Sequence, residues 1–125
     1  MQSHIAQTSK GPIEYTLLGK GPTILVCHGT SSDCFSTEFA KPLVEGGFCV
    51  VTPSRAGYGR TRLETGRSAA QAAEALMALL DSQQLHTCSV VAISGGGPTG
   101  IALQPGRRFR AVQPRGVVAG EYPAG

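Results

Sequence analysis

Hydrophobic positions in this chain fall into short unbroken runs separated by turn residues, and only one segment carries a clear helical period. Ile13, Tyr15 and Leu17 alternate with Glu14 and Thr16, which predicts a half-buried strand. With Lys10-Gly11-Pro12 as its turn, residues 3–18 read as a hairpin whose second arm lies near an edge of a sheet. After Gly19-Lys20-Gly21-Pro22, the run Thr23-Ile24-Leu25-Val26-Cys27 is apolar on both faces and predicts a central strand. Phe48 to Thr52 repeats that pattern and is ended by Pro53, and Val90 to Ile93 repeats it again. Between the first and second of these three runs, Phe35, Phe39, Leu43 and Val44 are spaced for one face of a helix stopped by Gly46-Gly47. Pro42 limits its extent upstream. The clearest helix follows Ser68 and Gln71, which form a capping box, with Ala72, Leu76, Leu79 and Leu80 as its apolar stripe and Glu74 and Asp81 off it.

Alternation of central strands with helices implies right-handed parallel crossovers and a three-layer α/β architecture. The third run ends in a distinctive way. Ser94 stands between Ile93 and Gly95-Gly96-Gly97-Pro98-Thr99-Gly100, which reads as strand, sharp turn and helix, the helix running to about Leu103. Ala92 two before the serine and Gly96 two after make a small-x-Ser-x-Gly version of the nucleophile elbow. Small residues there let strand and helix pack closely enough to hold a strained serine in the open.

Three stretches, in order, resemble the first half of an α/β-hydrolase: Leu25-Val26-Cys27-His28-Gly29 after one strand, residues 53–61 (Pro-Ser-Arg-Ala-Gly-Tyr-Gly-Arg-Thr) after the next, and Ala92-Ile93-Ser94-Gly95-Gly96 at the elbow. The resemblance runs from about residue 12 to 104. It implies an α/β-hydrolase-like, three-layer, mostly parallel sheet, truncated at its C-terminal side. It also implies hydrolysis of an ester or other acyl bond in a small-molecule substrate, through an acyl-serine. By that resemblance Ser94 is the nucleophile, the Gly95 backbone N–H is one oxyanion donor, and Thr30 supplies the second. His28 shapes its loop and is not the base, and Ser54 stands where many members carry Asp. A serine nucleophile argues against the branches that use aspartate, such as epoxide hydrolases and haloalkane dehalogenases.

The chain departs from the pattern after Leu103. In this fold the acid and histidine follow the serine in chain order, yet residues 95–125 contain neither Asp nor His. His4, His28 and His86 all precede it. Without a base a serine hydroxyl is a poor nucleophile near neutral pH, so the expected labelling of Ser94 is slow or absent. The expected organisation is a partial hydrolase domain over 1–104 and an irregular tail over 105–125, about half of it Gly, Pro and Arg. Such a tail fits out-of-frame translation of a G+C-rich gene, or a basic extension. Lacking a strand beyond the third run, the sheet is expected to expose an edge open to self-association.

Composition adds limits. At 125 residues and 41% hydrophobic content the chain is sized for one globular domain. Its +3 charge is accounted for by Arg107, Arg108, Arg110 and Arg115 against Glu121, so no nucleic-acid partner is indicated. Cys27, Cys34, Cys49 and Cys88 lack C-x-x-C or metal-ligand spacing and read as buried thiols in a reducing cytoplasm, with no metal. No apolar run approaches the roughly 20 residues of a membrane span, and no secretory leader is visible. No cofactor is called for on this reading. Two alternatives remain. Gly95, Gly97 and Gly100 also spell G-x-G-x-x-G, with Glu121 downstream, a dinucleotide-binding pattern weakened by Pro98 and by the lack of a second strand to seat the glutamate. The missing acid and base equally fit a non-catalytic binding protein on the same fold.

Overall fold

The computed structural model describes residues 2–29, 32–35, 40–85, 88–93, 98–99, 103, 109–111 and 117–118. Among them seven strands form one sheet. β1 (His4–Thr8) and β2 (Gly11–Leu18) are the expected hairpin, paired antiparallel with Ala6 opposite Ile13. Its turn is centred on Ser9 and Lys10, where the Thr8 hydroxyl donates to the Gly11 carbonyl and accepts from the Lys10 N–H. β3 (Thr23–Cys27), β4 (Cys49–Pro53) and β5 (Cys88–Ile93) are the three apolar runs. β3 lies between the other two and is parallel to both, while β2 joins the outer side of β4 antiparallel. The run that is apolar at every position therefore occupies the centre.

Side chains from alternate positions of these strands feed two separate cores, which is the physical content of the three-layer expectation. On one face Leu25, Cys27, Val51, Val90 and Ala92 pack with Ala73, Leu76, Leu79 and Leu80 of α2 (Ala69–Ser82). On the other, Ile24, Val26, Val50 and Val91 pack with Ala40 of α1 (Ala40–Glu45), and Leu43 and Val44 cover them in part. Ser68 caps α2 as expected, accepting from the Gln71 N–H at 3.1 Å. The Gln71 side chain, however, reaches one residue further back and accepts from the Arg67 N–H.

Three expectations are corrected. The polar face of β2 does not meet water: Glu14 and Thr16 are 3% and 1% exposed, because loops from the ends of β3 and β4 fold over them. Phe35 is not on the face of α1, which begins five residues later; it sits in a turn and is exposed. Phe39 lies outside the described residues.

The third correction concerns the outer edge of β5. β6 (Phe109–Ala111) pairs with it in parallel from Cys88 to Val90, and β7 (Val117–Val118) pairs antiparallel with Ala92 and Ile93. The edge expected to be bare thus has partners, since an apolar strand leaves backbone groups that the next available extended segments satisfy. Segments as short as Phe-Arg-Ala and Val-Val give no periodicity to read. Among the described residues no helix is long and apolar enough to cross a membrane.

Leu79 is fully buried between α2 and the sheet. Leu79→Ala should destabilise the chain by about 2–5 kcal/mol in denaturant unfolding, whereas Leu17→Ala, at an exposed position, should change it by under about 1 kcal/mol.

Candidate active site

The parallel strands all discharge their loops at one end of the sheet. Cys27 of β3 is level with Ala92 of β5, so His28 and Gly29 leave β3 at the end where the chain leaves β5 past Ile93. Residues 54–61 leave β4 on the other flank of β3. The carboxyl ends of parallel strands are where α/β sheets bind ligands. Of the residues expected to do chemistry, Thr30, Ser94 and Gly95 lie outside the described residues, as do His86, Gly97, Gly100 and Glu121. What is described is the frame around them.

That frame has two polar clamps. The first holds the start of the loop after β3. His28 is fully buried, and its Nε2 lies 2.9 Å from the Arg55 backbone N–H. Since an N–H can only donate, Nε2 is the unprotonated nitrogen. Nδ1 then carries the proton and donates to the Gly29 carbonyl at 2.8 Å. The Arg55 Nε–H returns to the His28 carbonyl at 2.8 Å, the guanidinium lies 4.8 Å from the centre of the Tyr58 ring, and His28 meets that ring edge-on. Burial, assisted by the Arg55 charge, pushes the His28 pKa below its ordinary 6.5 despite the opposing Gly29 contact. A neutral imidazole with both nitrogens engaged is a structural element, as expected.

The second clamp was not legible in the sequence. Glu14 Oε1 accepts from the Ser54 hydroxyl at 3.0 Å and from the Arg60 N–H at 2.9 Å, while Oε2 accepts from Ser3 at 2.8 Å and from the Arg60 Nε–H at 2.8 Å. Burial alone raises a carboxyl pKa, but these four donors outweigh it and hold Glu14 at about 2. The Glu14 backbone joins in, its N–H reaching the Thr61 hydroxyl and its carbonyl accepting from the Ser54 N–H. Gly59 makes room for the carboxylate. Its φ is +51°, and a Cβ there would lie 2.6 Å from Ser54 Oγ and closer still to Glu14 Oε1. Because a period-2 strand normally turns its polar face to water, Glu14 carried no signal of this role.

From Ser54 the second clamp extends to the far end of the β3 loop. Ser54 Oγ accepts from the Cys34 N–H at 3.0 Å, and the Thr16 hydroxyl donates to the Cys34 carbonyl at 2.5 Å. The thiols themselves are inert. Burial pushes Cys27 up to about 12 and Cys34 up to about 11, so neither offers a thiolate at neutral pH. His4, the other described histidine, stacks near Tyr15 on β1. Four strand spacings separate β1 from β5, roughly 19 Å.

A mostly parallel sheet with helices on both faces, whose strand-end loops converge beside a histidine-glycine turn, defines the hydrolase-like class of three-layer α/β proteins. Comparison with known proteins makes this specific: residues 24–124 match the family described as Alpha/beta hydrolase family, and the chain belongs to it. An uncharacterized hydrolase, YcgS, from Bacillus subtilis (strain 168) is 47% identical over 93 residues, covering 74% of this chain and 33% of that protein. Among solved structures, an alpha/beta hydrolase fold protein from Nakamurella multipartita is similar with a TM-score of 0.77 and 27% identity, over 89% of this chain and 40% of that one. A bromoperoxidase from Bacillus anthracis matches with a TM-score of 0.69 and 27% identity, over 87% and 42% of the two chains. The chain therefore spans about a third of the curated relative's length and two-fifths of these structures.

The His28 clamp sets a pH dependence. A histidine held below its unfolded pKa binds fewer protons folded than unfolded, so its contribution is whole above pH 6.5 and is lost as pH falls below it. Denaturant unfolding between pH 7.5 and 5 should show stability declining as pH falls, with a contribution from this one group of at most about 1.4 kcal/mol per pH unit. That component should be absent in His28→Gln.

Proposed function

We propose that this chain carries the nucleophile and oxyanion half of a serine hydrolase. It would act on an ester-like or other acyl bond of a small-molecule substrate through an acyl-Ser94 intermediate. The observation that carries the reading is the parallel register of β3 against β5, with Cys27 level with Ala92. It delivers the histidine-glycine turn and the end of the elbow strand to the same edge of the sheet. Ser94 follows Ile93 directly, and the helical bond from the Leu103 N–H to the Thr99 carbonyl, with Pro98 and Thr99 helical, fits the strand, turn and helix of a nucleophile elbow.

In this reading the Ser94 hydroxyl oxygen attacks the acyl carbon, its proton passing to water, and the bond from that carbon to the substrate's alcohol or other leaving group breaks as the acyl-serine forms. The backbone N–H groups of Gly95 and Thr30 receive the charge that develops on the carbonyl oxygen. Neither described histidine can serve as base, His28 because both ring nitrogens are engaged and His4 because it is four strands away. No Asp or His follows Ser94 in these 125 residues and His86 lies outside the described residues, so no described imidazole is placed to take the hydroxyl's proton. The dinucleotide alternative gains one element, since β6 is a strand parallel to β5 after the glycines. But β6 ends at Ala111, ten residues short of Glu121, whereas that motif seats its acidic residue at the end of the second strand.

A fluorophosphonate probe followed by peptide mapping tests the proposal. A slow adduct on Ser94 is expected, absent in Ser94→Ala, with a rate rising roughly tenfold per pH unit and no plateau near neutrality, as an unassisted hydroxyl requires. No adduct on Ser94 at any pH would overturn the nucleophile assignment. A plateau near pH 7 would show that a base is present after all.

A further inference from the structure

The loop that follows β3 is held at its two ends by different means. Its first residue, His28, is fixed by Arg55 through two hydrogen bonds. Its far end, at Cys34, is fixed by a chain of three groups that starts on another strand. The Glu14 carboxylate can only accept, so the Ser54 hydroxyl must spend its single proton on Glu14 Oε1. That orients the Ser54 lone pairs toward the Cys34 N–H, 3.0 Å away. Without the carboxylate the hydroxyl would be free to rotate, and its proton could turn toward the Cys34 N–H it now accepts from. Ser54 and Cys34 are both fully buried, so no water stands ready to replace a lost partner.

Between the two fixed ends lies Thr30, the residue whose backbone N–H the proposed mechanism uses. A donor aimed at a developing oxyanion is effective only if its position is set in advance. We infer that Glu14 is a positioning residue for the oxyanion loop, acting from β2 through the Ser54 hydroxyl on the Cys34 backbone. The inference rests on the serine-hydrolase reading for its catalytic meaning, but the mechanical part stands on the hydrogen bonds alone. Glu14 lies on β2, a strand paired on both sides, and its backbone is also bonded to Ser54 and Thr61, which ties the loop to the sheet.

Four variants separate positioning from general stability. Ser54→Ala removes only the relay and leaves Glu14 with Arg60 and Ser3. Glu14→Ala removes the anchor. Glu14→Gln keeps an oxygen for the Ser54 hydroxyl and the Arg60 N–H, and places its amide nitrogen against an Arg60 side chain that is 60% exposed and free to swing away. Ser3→Ala deletes a Glu14 donor that has no link to the loop. Two readouts apply to the full chain: the Ser94 labelling constant kinact, kept separate from the probe-binding constant KI, and amide hydrogen exchange at Cys34.

The expected result is that Ser54→Ala and Glu14→Ala lower kinact about tenfold or more with KI unchanged, and speed Cys34 exchange by at least about tenfold. Glu14→Gln and Ser3→Ala should stay within about threefold of the parent on both. Parent-like kinact and exchange in Ser54→Ala overturn the inference, and so does a Glu14→Gln defect equal to that of Glu14→Ala. If the parent chain does not label at Ser94, it is the serine-hydrolase reading that fails. Cys34 exchange then decides the positioning claim by itself, with unchanged exchange in Ser54→Ala refuting it.

Discussion

Four hydrogen-bond donors from three residues, Ser3, Ser54 and Arg60, meet on one buried carboxylate, Glu14. The arrangement links the loop after β3 to the loop after β4 at the carboxyl end of the parallel strands. A carboxylate taken out of water is costly unless its lone pairs are all engaged, and here each oxygen has two partners. The Arg60 side chain is largely exposed, so its ion pair contributes less than its short distance suggests. The weight falls on the Arg60 backbone N–H and the Ser54 hydroxyl, which are fixed by the turn over residues 54–61. That turn in turn depends on Gly59, whose left-handed backbone leaves the space the carboxylate fills.

The sheet and this polar cluster have complementary tasks. Strand order brings the loops of β3, β4 and β5 to one end, because parallel strands of similar length finish level with one another. Hydrophobic burial on both faces secures the order but says nothing about the conformation of what emerges. The polar contacts supply that: Arg55 on His28, and Glu14 through Ser54 on Cys34. The carboxylate comes from the strand next to β4, and the Ser54 hydroxyl links it to the loop after β3.

The same division explains how much could be read beforehand. Val90 to Ile93, Thr23 to Cys27 and Phe48 to Thr52 are apolar throughout, and burial on two faces leaves such segments no alternative to the sheet interior. Ser68 with Gln71 and the stripe from Ala72 to Leu80 fixed α2, because capping and period are local properties. The structural role of His28 followed from its motif. What the sequence concealed were contacts between residues far apart along the chain. Glu14 meets Ser54 and Arg60 across separations of 40 and 46 residues, and an alternating strand gives no sign that a loop will cover its polar face. Phe35 fitted a helical spacing but preceded the helix. β6 and β7 are three and two residues long, too short for any period, and rest on what the edge of β5 offers. Ser94, Gly95 and Thr30, the residues expected to do the chemistry, lie outside the described residues.

The central claim is that the Glu14 carboxylate is a buried anchor on which four donors converge, and its own titration tests this most directly. Carbon-13 NMR of the glutamate side-chain carboxyls, with Glu14 assigned by its alanine variant, should show a signal that does not move until the pH approaches 2. A midpoint near the ordinary glutamate value of 4.5 would mean that the four donors do not converge on the carboxylate, and the loop account built on it would fall.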